Sequence, residues 1–223
     1  MNNLPFVIVY SDQSNDEGVA FKSASDLREH DLPVLVLTVD QVGPKTEGFL
    51  FLFASEDHHY DELCRRLETL TLPSSALSEE KRTLVRALSL PAEAETEVEK
   101  LGADVYVVAS QCDGALLITI PIRRNLRAEK GTSCGITDWQ YQLLEPRSLS
   151  DQVASLASDT YRQLQIEKPV VFGFNLDESG TPVLVEVMPN FGLSDYSILP
   201  TALKLSDIDL RAFLVSVYDL DPR

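Results

Sequence analysis

The chain has 223 residues, of which 44% are hydrophobic and 24% charged, and this is enough to bury the core of one domain or of two small lobes. Its formal net charge of −16 repels phosphate backbones and offers no basic stripe, so nucleic acid is not expected as a partner. No apolar run reaches the roughly 20 residues of a membrane span and the first residues do not resemble a signal peptide, so we expect a cytoplasmic protein that does not contact membranes.

The first part of the chain alternates short apolar runs with helical patterns. Strands are predicted at 6–10, 33–39 and 48–53, and helices near 17–30 and 59–71. Continuous apolar strands of this kind are typical of a small parallel sheet covered on both faces. Residues 1–75 are therefore predicted to form a half-Rossmann lobe, although no GxGxxG follows the first strand and a dinucleotide site is not implied.

Residues 76–102 read as a helical connector, and the pattern changes to hairpins from residue 103 onward. "ADVYVVAS" and "ALLITIPI" flank a turn that contains Asp113 and Gly114, which favours an antiparallel hairpin. A second hairpin is predicted over 170–188, where "DESGT" supplies the turn. Residues 103–223 are predicted to form the second lobe.

Two helices are predicted in this second lobe. The first begins at Ser150 as its cap and places one face toward the core. The residues of that face are Val153, Leu156, Ala157, Tyr161 and Leu164. The second covers "SDIDLRAFLVSVYDL" and begins with Ser206 and Asp209 at capping-box spacing.

Three segments resemble the D-alanine–D-alanine ligases of the ATP-grasp superfamily, in the same order and with similar spacing. They are "VIVYSDQSNDEGVAFKSASDL", "LEPRSLSDQVASLASDTYRQL" and "GFNLDESGTPVLVEVMPNFGLSDYSILP". The resemblance implies an α/β protein with a half-Rossmann N-terminal lobe and a truncated, ATP-grasp-like α+β C-terminal lobe. The truncation is expected because about ten residues stand where the family inserts its nucleotide-binding lid subdomain.

The positions that match the family's metal ligands have changed. In the family an aspartate, a glutamate and an asparagine hold the magnesium ions that bridge the nucleotide phosphates. Gly173 stands at the aspartate position, Glu186 is kept and Met188 replaces the asparagine. Magnesium is usually held by one or two carboxylates together with substrate phosphates, so Glu186 is at most a residual ligand, with Asn190 as a partial substitute. No nucleotide or metal cofactor is expected.

Other positions of the family's phosphoryl-transfer site have lost charge or hydrogen-bond donors. Gly18 matches the catalytic glutamate, Val171 an arginine, and Gly135 and Ile136 a lysine and a tyrosine of the mobile loop. Residues 127–138 admit two interpretations. They match the loop that covers the substrates, or "EKGTSCGITD" is a glycine-rich phosphate loop.

The carboxylate-binding part of the family's pocket persists by residue type. Gly192 and Ser197 match the residues whose backbone amide and hydroxyl hold the carboxylate of the second amino acid, and Asn190 lies beside them. These three are the predicted substrate-binding residues. The structural alternative is that Gly192 makes a turn and Ser197 caps a helix.

Three functions remain open. The first is a protein that has lost ligation with ATP and magnesium and binds an amino acid, a dipeptide or a peptide carboxylate, as a pseudoenzyme or accessory subunit. It would form a homodimer or join a partner ligase through the first lobe. The second is an ATP-independent hydrolase or acyltransferase that uses Cys134 as its nucleophile. The third is a divergent ATP-dependent carboxylate–amine ligase.

Overall fold

The computed structural model describes residues 6–11, 16–54, 57–70, 73–88, 103–126, 139–189, 191–218 and 220. Its first part contains a parallel sheet of three strands in the order β2-β1-β3. The elements are β1 (Phe6–Tyr10), α1 (Glu17–Glu29), β2 (Val34–Thr38), β3 (Phe49–Phe53) and α2 (Asp57–Leu67). Strands β1 and β3 are buried along their whole length, which explains their unbroken apolar sequences. The predicted βαβ arrangement is confirmed.

A helix and a six-stranded sheet follow. Helix α3 spans Glu79–Leu88; residues 89–102, the remainder of the predicted connector, lie outside the described residues. The strands are β4 (Val105–Cys112), β5 (Ala115–Ile118), β6 (Ile122–Leu126), β7 (Trp139–Leu143), β8 (Val170–Leu176) and β9 (Pro182–Met188). Their order is β7-β6-β4-β8-β9, with β5 also paired to β4, and all pairs are antiparallel.

Both predicted hairpins form, and their turns explain why. Asp113 and Gly114 have φ values of 50° and 79°, the left-handed conformation that a two-residue hairpin turn requires. In the second turn, Asp177 Oδ1 accepts hydrogen bonds from the backbone N–H groups of Ser179 and Thr181, at 2.8 and 2.9 Å. These contacts are local, so the sequence alone indicates where each strand ends.

Three more helices complete the fold, namely α4 (Arg147–Leu164), α5 (Ile198–Leu205) and α6 (Leu210–Tyr218). A central core contains buried residues of both sheets together with residues of α1, α5 and α6. The other face of the larger sheet packs with α3 and α4, and the other face of the smaller sheet with α2. The two sheets therefore share one core. The predicted boundaries at residues 75 and 102 stay predictions.

Details of the helix ends differ from expectation. Ser150 is not a cap, because α4 begins after Pro146 and Ser150 is buried in its first turn. Leu156 is 41% exposed and does not join the buried face of that helix. The capping box at Ser206 is also wrong: Ser206 follows α5, and its Oγ accepts from the Ile120 N–H at 2.9 Å. Asp209 alone caps α6, accepting from the Ala212 N–H at 2.7 Å.

Candidate functional site

The β8–β9 hairpin places Gly173 and Glu186 opposite each other. The Glu186 side chain lies over the glycine, so that a β-carbon at position 173 would lie 2.4 Å from Glu186 Cγ and 2.6 Å from the Ala103 β-carbon. Glu186 Oε1 accepts a hydrogen bond from the Ala103 backbone N–H at 3.1 Å. The space that a side chain at position 173 needs is therefore filled from the opposite strand and from the segment before β4.

Aromatic side chains surround the Glu186 carboxylate. Tyr106, which pairs with Gly173 from the neighbouring strand β4, is 2% exposed. Burial, reinforced by the nearby Glu186 charge, raises the pKa of Tyr106 far above its usual range. Tyr141 meets the Tyr106 ring edge-on with centroids 6.3 Å apart, and the Arg124 guanidinium lies 5.4 Å from the Tyr106 centroid. Glu186 thus belongs to a packed polar cluster.

This arrangement does not fit a pair of magnesium ions. Magnesium demands near-octahedral coordination by oxygen ligands, and at this site Glu186 Oε1 already accepts from the Ala103 N–H. Gly173 supplies no side chain, and the thioether of Met188 packs against the central core. Across the described ranges, no three His, Cys, Asp or Glu side chains lie close enough together to hold a metal ion.

The segment after the hairpin, the 191–197 loop, brings Gly192 and Ser197 together. A β-carbon at position 192 would lie 2.4 Å from Ser197 Oγ, so this close approach requires glycine. The Ser197 hydroxyl lies 2.8 Å from that of Ser194, and the Ser197 N–H donates to the Ser194 carbonyl at 2.8 Å. Ser197 occupies the cap position of α5, yet its side chain makes no hydrogen bond to the first turn. Ser197 thus occupies the position of the predicted helix cap without making the cap hydrogen bond, and its role in binding a carboxylate stays a prediction.

A buried aspartate of α1 hydrogen-bonds this loop, and the sequence did not predict this contact. Asp26 of α1 is 2% exposed, and its Oδ2 accepts from the Asp195 N–H at 3.0 Å. Its Oδ1 is paired with the Lys22 ammonium. Asp26 lies among the buried positions Ser23, Ala24 and Leu27 of α1. An acidic residue among these core-facing positions is the sequence feature that could have indicated a buried polar contact.

Several predicted site residues cannot be placed. Asn190, Cys134 and the whole of 127–138 lie outside the described residues. The nucleophilic role of Cys134, the partial metal role of Asn190 and the choice between a phosphate loop and a substrate-covering loop therefore stay predictions.

The fold and the hairpin together define a class. A three-stranded parallel sheet joined through one core to an antiparallel sheet ending in this hairpin is a fold shared with solved D-alanine–D-alanine ligases. The chain is similar to a D-alanine–D-alanine ligase from Bacillus anthracis solved with ATP, with 14% identity, a TM-score of 0.64 and coverage of 99% of this chain and 97% of that one.

Two further structures show the same likeness. For D-alanyl-alanine synthetase A from Vibrio cholerae the identity is 11%, the TM-score 0.72 and the coverage 98% of both chains. For the VanG D-Ala:D-Ser ligase from Enterococcus faecalis the identity is 12% and the TM-score 0.65, with 98% of this chain and 99% of that one covered. No protein-family model and no curated protein sequence matches the chain. In the part of the chain that the structure describes, no helix is long and apolar enough to cross a membrane.

Proposed function

We propose that this protein is a ligase-fold protein that has lost ligation with ATP and magnesium and binds an amino acid, a dipeptide or a peptide carboxylate. It would act as a pseudoenzyme or as the accessory subunit of an active ligase. The observation that carries the proposal is the contact between Gly173 and Glu186. Phosphoryl transfer depends on metal ions that neutralise the charge developing on the phosphates, and an aspartate at position 173 would overlap the present positions of Glu186 and the Ala103 β-carbon.

The rest of the hairpin supports the same conclusion. A carboxylate that holds magnesium must present its lone pairs to the ion. Glu186 instead directs Oε1 to the Ala103 N–H, beside the buried Tyr106. Binding an ion there would first break this contact in a buried setting, where an unpaired polar group is costly.

The 191–197 loop supports the proposed binding of a carboxylate. This loop leads directly into the N-terminus of α5, where backbone N–H groups and the helix dipole favour an anion. No hydrogen bond of the Gly192 N–H is found among the described residues. The Ser197 hydroxyl, 2.8 Å from Ser194 Oγ, retains further hydrogen-bonding capacity. An amino-acid or peptide carboxylate is the ligand class that such donors suit.

The test is a thermal-shift titration with matched ligands. ATP with magnesium is compared with D-alanine, with D-alanyl-D-alanine and with the C-terminal amide of that dipeptide, which lacks the carboxylate. We expect the free dipeptide to raise the melting temperature by about 5–10 °C at about 100 times its Kd, and the amide and the nucleotide to leave it unchanged. A magnesium-dependent shift with ATP would support the divergent ligase instead, and a shift with none of the ligands would contradict carboxylate binding.

For the partner, we propose self-association or docking to an active ligase through the first lobe. Strand β2 is the edge of the smaller sheet, and Leu35 on it is 48% exposed. Sedimentation velocity on the protein and on Leu35→Lys would test this. A charge at the edge should lower the association constant if β2 lies in the interface, and a purely monomeric wild-type protein, alone or mixed with an active ligase, would contradict it.

A further inference from the structure

One buried carboxylate of α1 bonds to the 191–197 loop through one oxygen and to its own helix through the other. Asp26 Oδ2 accepts from the Asp195 N–H at 3.0 Å, across 169 positions of sequence. Asp26 Oδ1 is paired with Lys22 one helical turn earlier. Because Asp26 is 2% exposed, water competes little for either contact. A hydrogen bond from a backbone amide to a buried, charged acceptor is among the stronger contacts of a protein.

The neighbouring side chains make further contacts between the same two segments. The Lys22 ammonium lies 5.7 Å from the centroid of the Tyr196 ring, and His30 Nε2 lies 3.6 Å from Asp195 Oδ1. Both are exposed contacts and contribute little individually. The buried hydrogen bond of Asp26 is therefore the dominant polar link between α1 and the loop among the described residues.

We propose that Asp26 is a positioning residue that fixes the 191–197 loop and thereby sets its affinity for a carboxylate ligand. Asp195 lies between Gly192 and Ser197, so fixing its amide fixes the backbone that carries both of them. A loop held in one conformation binds without a further ordering cost. The effect on affinity rests on the proposed function, whereas the effect on the loop itself does not.

Hydrogen exchange of the ligand-free protein tests the positioning directly. We expect Asp26→Ala to accelerate exchange in peptides covering 191–197 by about tenfold, since the Asp195 N–H loses its acceptor. Asp26→Asn keeps an acceptor oxygen and should restore most of the protection. Glu29→Gln removes an acidic charge from an exposed position of the same helix and is the matched control. A peptide from β8 reports global opening, which would accelerate exchange everywhere.

Titration of the same variants with D-alanyl-D-alanine tests the second step. Asp26→Ala should weaken binding about tenfold while Glu29→Gln leaves it unchanged. Unchanged loop exchange in Asp26→Ala would overturn the positioning, whatever the ligand does. Altered exchange with unaltered affinity would overturn the link to binding. A wild-type protein that binds no carboxylate ligand would instead contradict the proposed function and leave the exchange result to stand by itself.

Discussion

Gly173 and Glu186 lie so close across the β8–β9 ladder that position 173 has no room for a side chain. The nearest atoms are Glu186 Cγ and the Ala103 β-carbon, at 2.4 and 2.6 Å from an ideal β-carbon. The Glu186 side chain can rotate, but the Ala103 β-carbon moves only with the backbone, so relief requires movement of the segment before β4. A glycine at this site is thus a packing requirement of the present structure.

We predict that Gly173→Ala destabilises the protein by about 1–3 kcal/mol, since it inserts a methyl group into filled space. Gly43→Ala is the control, because a β-carbon there meets nothing within 4 Å. It should change the free energy of unfolding by less than about 0.5 kcal/mol. Urea denaturation measures both variants, and equal midpoints would refute the steric argument.

Replacing Gly173 with aspartate should not create a magnesium site. We predict that Gly173→Asp lowers the free energy of unfolding by about 1–3 kcal/mol or more. This is at least as much as Gly173→Ala, because the aspartate adds volume and an unpaired charge beside Glu186. The measurement is thermal unfolding with and without magnesium. Stabilisation by magnesium in Gly173→Asp would show that Glu186 is free to act as a ligand and that its present contacts are weak.

Glu186 should matter for stability in the absence of any metal. Glu186→Ala leaves the buried Ala103 N–H without its acceptor, and we predict a loss of about 1–3 kcal/mol. Glu178→Ala, at an exposed position in the turn of the same hairpin, is the matched control. Urea denaturation in buffer containing a chelator distinguishes this role from a metal-binding one, for which chelation alone would destabilise the wild-type protein.

Tyr106 should make the protein sensitive to alkali. Its pKa in the folded state is raised, chiefly by burial, while an unfolded tyrosine titrates at about 10. Its contribution is therefore complete below about pH 10 and is lost as the pH rises toward the folded pKa, by about 1.4 kcal/mol per pH unit. We predict that Tyr106→Phe reduces the alkaline slope of the unfolding free energy by that amount. Tyr196→Phe, at a residue that is 78% exposed, should leave the slope unchanged.

Local signals account for the parts of the fold that the sequence predicts well. Only neighbouring positions are needed to predict the apolar strands β1 and β3 and the turn at Asp113 and Gly114. Helix α5 was predicted only through the alternative in which Ser197 caps a helix, because "ILPTALKL" is short, mostly apolar and contains Pro200. Strand β6 was missed because "IRRNL" has little alternation between apolar and polar residues.

The candidate site depends on contacts that no local pattern contains. The Ala103–Glu186 hydrogen bond spans 83 positions and the Asp26–Asp195 hydrogen bond 169. A family resemblance could be based on the residue types at Gly173, Glu186, Gly192 and Ser197. It could not predict the direction of the Glu186 side chain. That direction is set by packing against Tyr106 and Ala103 after the sheet has formed.

The contact between Gly192 and Ser197 yields a prediction that separates binding from stability. In Gly192→Ala the new methyl group would meet Ser197 Oγ at 2.4 Å and the Ser197 β-carbon at 3.1 Å. We predict a destabilisation of about 1 kcal/mol and carboxylate binding weakened by about tenfold, because the hydroxyl, which is the free end of its side chain, must rotate out of place. Ser197→Ala alone should have little effect on stability and should weaken binding about tenfold by removing one donor.

The double variant Gly192→Ala/Ser197→Ala then decides between the two effects. Removing the hydroxyl eliminates the 2.4 Å contact and leaves only the tighter-than-usual 3.1 Å approach of the two methyl groups. We therefore expect the double variant to recover most of the stability lost in Gly192→Ala, while binding stays about tenfold weaker than in the wild-type protein. Urea denaturation and calorimetric titration with D-alanyl-D-alanine measure the two quantities. If binding returns together with stability, the Ser197 hydroxyl holds no carboxylate, and its place beside Gly192 serves only the start of α5.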